Sequence, residues 1–110
     1  MNLGGTARLV YQGKILRVEF YVAESGHCPA ESWLESQLEL KQQKFAALFA
    51  WIANHGKIWN KRKFKYLTGS DQLFEFKSEE GRVLCFFMVG KRLILTHGFT
   101  KKTTRLRKVK

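Results

Sequence analysis

A small α+β fold, an antiparallel sheet with one or two helices packed on one face, is predicted for these 110 residues by three observations. Leu73–Lys102 reads as three short strands, Leu73–Lys77, Arg82–Val89 and Arg92–Phe99, rich in β-branched, aromatic and other apolar residues. Leu34, Leu38, Phe45, Leu48, Phe49 and Ile52 recur at helical spacing, so one stripe packs against a sheet. Ile15–Ala23 alternates, with Leu16, Val18, Phe20 and Val22 on one side and Arg17, Glu19 and Tyr21 on the other. One domain, residues 1–110, is expected from the length.

In chain order, Met1–Thr6 is a loose lead-in, and Arg8–Tyr11, Gln12-Gly13 and Lys14–Ala23 form a hairpin. Glu24–His27 is a loop. A helix starts at Cys28-Pro29-Ala30-Glu31, with Pro29 near the first helical position and Glu31 favourable to the dipole. Asn54-His55-Gly56 ends it, glycine being the usual residue past a helix. The pattern blurs over Gln37–Lys41, and one long helix or two shorter ones fit equally well. In Lys57–Leu67, basic residues interleave with aromatics: Lys63 and Lys65 share one face of an extended segment, Phe64 and Tyr66 the other. Such a stretch can hold phosphates while rings stack on bases, or can simply anchor to the core through its apolar residues.

The three strands from Leu73 imply a meander. Ser78–Gly81 is its first loop, and Gly90-Lys91 its second, a type II′ turn with glycine first. The resulting register sets Lys77 against Arg82, Glu75 against Leu84, Leu73 against Phe86, Val89 against Arg92, Phe87 against Ile94, Leu84 against His97 and Arg82 against Phe99. One face then carries Phe74, Phe76, Val83, Cys85, Phe87 and Ile94. The other carries Leu73, Phe86, Met88, Leu93 and Leu95, with Glu75, Lys77, Arg82 and His97 gathered at one end. Arg82, at the mouth of its strand, is expected to keep its head exposed.

Net charge is +11 and lies wholly in residues 56–110; from Gly81 onward there are nine Lys or Arg and no acid. Such asymmetry favours a polyanionic partner: nucleic acid, an acidic protein segment or an anionic surface. A membrane-surface role lacks the basic amphipathic helix it needs, and the runs Phe45–Ala53 and Val83–Val89 are too short to span a bilayer. Met1–Phe20 has no signal-peptide apolar region, so a cytoplasmic protein is expected. Three scattered His and two Cys (Cys28 and Cys85) give no metal spacing and no disulfide framework, and no cofactor is implied.

The run LFEFK…EEGRVLCFFMVGKRLILTHGFTKKT, preceded by a helix ending in HG and a basic segment, resembles the RelE/HigB-type toxins of bacterial type II toxin–antitoxin systems. VEFYVAESGHCPAESWLESQ is similar to the start of their phage-derived branch, so the resemblance covers about residues 16–104. It implies a RelE-like domain with a curved antiparallel sheet, and an endoribonuclease that cleaves messenger RNA, often on the ribosome. It also implies a cognate antitoxin, of the helix-turn-helix kind, that covers the toxin. Arg82 matches the family's arginine at the scissile phosphate, and Lys101 and Lys102 fall where a basic pair often follows the last strand. Lys63 and Lys65 fall where some members place basic residues before the sheet. The chain departs from the pattern at Lys77, where the branch often has Arg, at Cys85, where it often has Tyr, and in lacking a C-terminal helix opened by Thr-Pro.

Metal-free RNA cleavage needs a base for the ribose 2′-OH, cations for the phosphorane and an acid for the leaving oxygen. Arg82 suits the phosphate through its planar fork, and Lys101 and Lys102 add charge. His97 can serve as acid or base, or can be a structural histidine. Glu75 orients His97 or neutralises Arg82. Lys61, Arg62, Lys63, Lys65, Tyr66 and Lys77 are the candidate RNA-binding residues. A non-catalytic RNA- or ribosome-binding module is the competing reading.

Overall fold

The computed structural model, which describes residues 5–102, runs β1 (Gly5–Gln12), β2 (Arg17–Ala23), α1 (Pro29–Glu35), α2 (Glu39–His55), β3 (Phe64–Tyr66), β4 (Phe74–Ser78), β5 (Gly81–Met88) and β6 (Arg92–Thr100). One sheet holds all six strands in the order β1-β2-β6-β5-β4-β3. Neighbours are antiparallel except β2 and β6, which run parallel, with Val18 beside Leu93 and Phe20 beside Leu95. The expected α+β architecture is therefore present, with this parallel pair added at its centre.

The lead-in reading fails at Gly5 and Thr6, which open β1; residues 1–4 and the tail 103–110 lie outside the described residues. The β1–β2 hairpin forms, but its loop takes up Ile15 and Leu16, which the sequence pattern places in the strand. The reason is the end of α2. Its last carbonyls have no helical partner, and the amides of Ile15 and Leu16 both donate to Ala53 O at 2.9 Å. Gly13 permits this approach, because a Cβ there would run into the Ala53 backbone. Asn54 completes the dock, accepting from the Lys14 amide at 3.0 Å and donating to the Tyr11 hydroxyl at 3.1 Å.

Two helices form where the pattern blurs. Ser36 closes α1, its hydroxyl donating to Trp33 O at 2.6 Å, and Leu38 is the extended N-cap of α2. Leu38 therefore leaves the expected stripe and lies exposed, while Leu34, Phe45, Phe49 and Ile52 are buried and Leu48 is half-buried. Gly56 ends α2 at φ 85°, a left-handed conformation that costs glycine little. The stripe meets Val18, Phe20, Phe76, Val83, Cys85, Leu93 and Leu95 on one sheet face, with Leu16 of the β1–β2 loop in the same core.

In the meander, Lys77 pairs with Arg82 and Glu75 with Leu84, as expected, but the first turn is tighter: Ser78 faces Gly81 around Glu79 and Glu80. The second turn is longer than expected. Met88 pairs with Arg92 across Val89–Lys91, and both Gly90 (φ 93°) and Lys91 (φ 59°) are left-handed, where a type II′ turn needs only the first. The expected pairs Val89–Arg92 and Phe87–Ile94 are replaced by Phe87–Leu93 and Phe86–Ile94, and β4 begins at Phe74, after Leu73. A bulge between Leu84 and Cys85 leaves Thr96 as an extra residue of β6, and beyond it Leu84–His97 and Arg82–Phe99 pair as expected. Leu93 and Leu95 consequently join the helix-covered face and Ile94 the other, the reverse of the sequence reading.

Past the bulge, Gly98 lies on the helix-covered face beneath the Trp33 indole, and a Cβ there would overlap that ring. Gly98→Ala should therefore destabilise the fold by about 1–3 kcal/mol through overpacking. The fall should appear in the urea midpoint with an unchanged slope. An unchanged midpoint would mean that Trp33 does not rest on this glycine.

Candidate functional site

The helix-free face of the sheet is built from the side chains that alternate away from the core. Lys65 stands beside Glu75 on β4, Glu75 beside Leu84 on β5, Lys77 beside Arg82, and Arg82 beside Phe99 on β6. His97, next to Leu84, completes one end of this face. The Lys101 amide donates to Glu80 O at 2.8 Å, which returns the chain to the β4–β5 turn. Glu75, Lys77, Arg82 and His97 are thus brought together as the sequence predicts, with Lys65 and Lys101 beside them. Lys102 lies exposed one residue further on.

Arg82 is not the exposed head that the sequence suggests. Its side chain is 12% exposed and lies 3.9 Å (Nε to Oε2) from the 11%-exposed Glu75 carboxylate. Its Nη1 donates to Glu79 O at 2.8 Å and Gly81 O at 2.9 Å, gripping the β4–β5 turn. His97 is exposed; its Nδ1 is 3.2 Å from the Thr96 hydroxyl and its ring stacks on Phe99 at 6.2 Å between centroids. Burial, followed by the charges of Lys65 and Arg82, holds the Lys77 ammonium below the ordinary lysine value, against the opposing pull of Glu75. Cys85, buried on the opposite face, has its thiol pushed up by burial.

The basic segment before β3 divides. Lys65 reaches the helix-free face. Arg62 and Lys63 line a cavity against α2 with Lys44 and Lys77, and the Lys63 carbonyl accepts from the Lys77 amide at 2.8 Å. Phe64 and Tyr66 share the opposite face, as expected, both packing on Phe74. Lys61 and Tyr66 line a separate groove on that side with Trp59 and Phe87, two residues the sequence reading does not single out. No described helix is long and apolar enough to cross a membrane. Among the described residues no group of three or more His, Cys, Asp or Glu is placed to hold a metal ion.

The model of the phage-derived Gp49-like protein family (DUF891) matches residues 32–110, which include every candidate residue of this face from Lys65 onward. The chain belongs to that family. A comparison with curated proteins gives no match.

One feature of this Gp49-like face lies outside the sequence reading. Glu19 in β2 is buried on it, accepting from Arg92 at 2.8 Å (Nε) and 2.9 Å (Nη2), with Arg17 Nε at 3.4 Å. Ile94, also fully buried, lies between Glu19 and Phe86 in the ladder. Local alternation marks Glu19 as outward, but only the parallel β2–β6 pairing brings it to Arg92, and no local pattern specifies that pairing. The hydrogen bonds from Arg92 hold the Glu19 carboxyl below its ordinary value of 4.5, outweighing burial, which raises it.

Because the folded value is the lower one, this pair contributes its full stability above about pH 4.5 and loses it as pH falls through the folded value. Glu19→Gln should cost about 2–3 kcal/mol at pH 7, the low side for a broken buried pair because Arg92 reaches solvent. It should also flatten the loss of stability below pH 4.5 in urea titrations. A variant as acid-sensitive as the parent would place the titrating carboxyl elsewhere.

Proposed function

We propose that this chain is a single-domain toxin of a type II toxin–antitoxin system, a RelE/HigB-type, metal-independent endoribonuclease that cleaves messenger RNA, on the ribosome, in the cytoplasm. The observation that carries the proposal is the cluster of Lys65, Lys77, Arg82 and Lys101 on a sheet face free of helices, with Glu75 set among the cations and His97 beside them. Membership of the Gp49-like family supports a toxin with an antitoxin partner. A helix-turn-helix antitoxin with an acidic segment suits a chain of net charge +11, the opposite charges chiefly speeding encounter.

In this reading the ribose 2′-oxygen attacks the adjacent phosphorus and the bond to the 5′-oxygen breaks, leaving a 2′,3′-cyclic phosphate and a 5′-hydroxyl. The cations hold the extra charge of the phosphorane, the largest contribution such a site can make. His97, exposed at the end of this face, gives the leaving oxygen its proton. Lys77, beside Arg82 in the ladder and held below the ordinary lysine value by burial and then by the charges of Lys65 and Arg82, accepts the 2′-OH proton. Lys61, Arg62, Lys63 and Lys102 extend the phosphate-binding surface.

One observation favours the alternative, a non-catalytic RNA-binding module: Arg82 spends donors on the Glu79 and Gly81 carbonyls as well as facing Glu75. Cleavage of messenger RNA in a translating extract decides between them. His97→Gln and Lys77→Gln, both outside the core, should melt like the parent while cleavage falls about a hundredfold or more. Arg82→Ala should lose activity too, but also about 1–3 kcal/mol of stability, because Glu75 is left without its guanidinium. Binding without cleavage by the parent itself would establish the module. Undiminished cleavage by His97→Gln and Lys77→Gln together would move the site off this face.

A further inference from the structure

On the helix-covered side, beyond the end of α2, a groove of about 670 Å3 is left open. Its floor is a run of rings: Phe74 packs edge-on against Phe87 at 5.2 Å and against Tyr66 at 5.3 Å. Its rim is Trp59, 81% exposed, with the Lys57 ammonium 4.4 Å from its ring centroid. Lys61 and Lys65 are the other cations of its lining, and no carboxylate lines it among the described residues. An indole this exposed buries little of its ring against the core, and it stands among three lysines, with Lys57 over its face.

β3 is the edge strand of the sheet, so the groove and the cationic face are the two sides of one edge. Lys65 belongs to both, lining the groove while its charge acts on Lys77 across the face. A chain that alternates phosphates with flat rings fits such an edge: its backbone tracks the lysines and a base enters between aromatic side chains. An acidic peptide would match the charge but would make no use of the rings' planar faces.

We propose that this groove is a base-stacking subsite for single-stranded RNA: it takes an unpaired nucleobase flanking the phosphate held on the helix-free face, with Trp59 and Tyr66 as the stacking surfaces and Lys65 as the link. The subsite rests on the RNA reading given above and adds to it a place where base identity is sensed. Stacking alone tolerates every base, so the expected preference is graded by stacking strength, with purines favoured, and is not an absolute code.

The test measures binding of the full chain to a short 2′-O-methyl RNA, which cannot be cleaved, and to an abasic strand of the same length and charge. Trp59→Ala should weaken binding of the base-bearing strand about tenfold, leave the abasic strand unaffected and keep the salt dependence. Trp59→Phe should recover most of the loss; RNA should quench the parent's tryptophan fluorescence, and this quenching should shrink in both variants. Equal weakening on both strands would overturn the subsite, since the indole would then act through structure or charge. Unchanged binding by Trp59→Ala, in a chain whose binding does fall with Lys77→Gln and Lys101→Gln, would overturn the groove and leave the RNA reading standing. A parent that binds neither strand would overturn both. A co-expressed acidic protein that the parent retains and Trp59→Ala releases, with RNA binding intact, would assign the groove to a protein partner instead.

Discussion

β6 is held from both sides, by β2 running parallel and by β5 running antiparallel, and it contains one residue, Thr96, that β5 does not match. Side chains along a regular strand alternate with period two, so Leu93, Leu95, His97 and Phe99 would all point the same way. The bulge breaks that parity. Leu93 and Leu95 go to the core, while His97 and Phe99 go to the helix-free face beside Leu84 and Arg82. Gly98 is thereby turned inward, where only a residue without a side chain fits beneath Trp33. The Thr96 hydroxyl donates to Leu84 O at 3.2 Å, so the irregular step keeps a bond of its own. The core and the candidate site share this one irregularity.

That irregularity also explains what local pattern can and cannot reveal. Lys77–Arg82 is legible from the sequence through the first loop alone, whereas Leu84–His97 and Arg82–Phe99 are legible because a longer second turn and a bulge cancel: reading Gly90-Lys91 as the whole loop errs by one residue, and Thr96 restores the count. Between turn and bulge nothing restores it, and there Leu93, Ile94 and Leu95 are assigned to the wrong faces. The single strands, the helix end at Gly56 and the grouping of Glu75, Lys77, Arg82 and His97 follow from residue type and spacing. The parallel β2–β6 pairing does not, because it joins residues more than seventy positions apart through a run that is apolar on both faces. Glu19 and Arg92 are invisible as partners for the same reason, and so is the groove at Trp59, which needs the end of α2 and the edge of the sheet in one place.

Carboxylates are scarce on the cationic side of this chain, and two of them are buried among its cations. Glu19 neutralises Arg92 with two hydrogen bonds at the centre of the sheet, leaving that guanidinium little capacity for a ligand. Glu75 approaches Arg82 only at 3.9 Å, and Lys65 and Lys77 flank them in the ladder. The two ends of one face thus differ in kind: a closed ion pair over the core, and an open excess of positive charge near the β4–β5 turn. The first still sets two arginines, Arg17 and Arg92, against one carboxylate, but the second gathers Lys65, Lys77, Arg82 and Lys101 around Glu75 and so attracts an anion more strongly.

The excess charge also accounts for how Arg82 is held. An arginine free in solvent would bring a phosphate more donors but would have to be ordered on binding, at the entropic cost of fixing a long side chain. Here the β4–β5 turn takes two of its hydrogen bonds and Glu75 faces its Nε, so its position is set before any ligand arrives. In the proposed ribonuclease such an arginine acts less as a clamp than as a fixed charge, and direct contact with the phosphate falls to its exposed neighbours, Lys101 and His97. The same contacts that order the guanidinium tie it to the turn and the buried carboxylate. Residue 82 therefore cannot be read as functional or structural alone, and the lysines and the histidine around it report on the chemistry more cleanly than the arginine does.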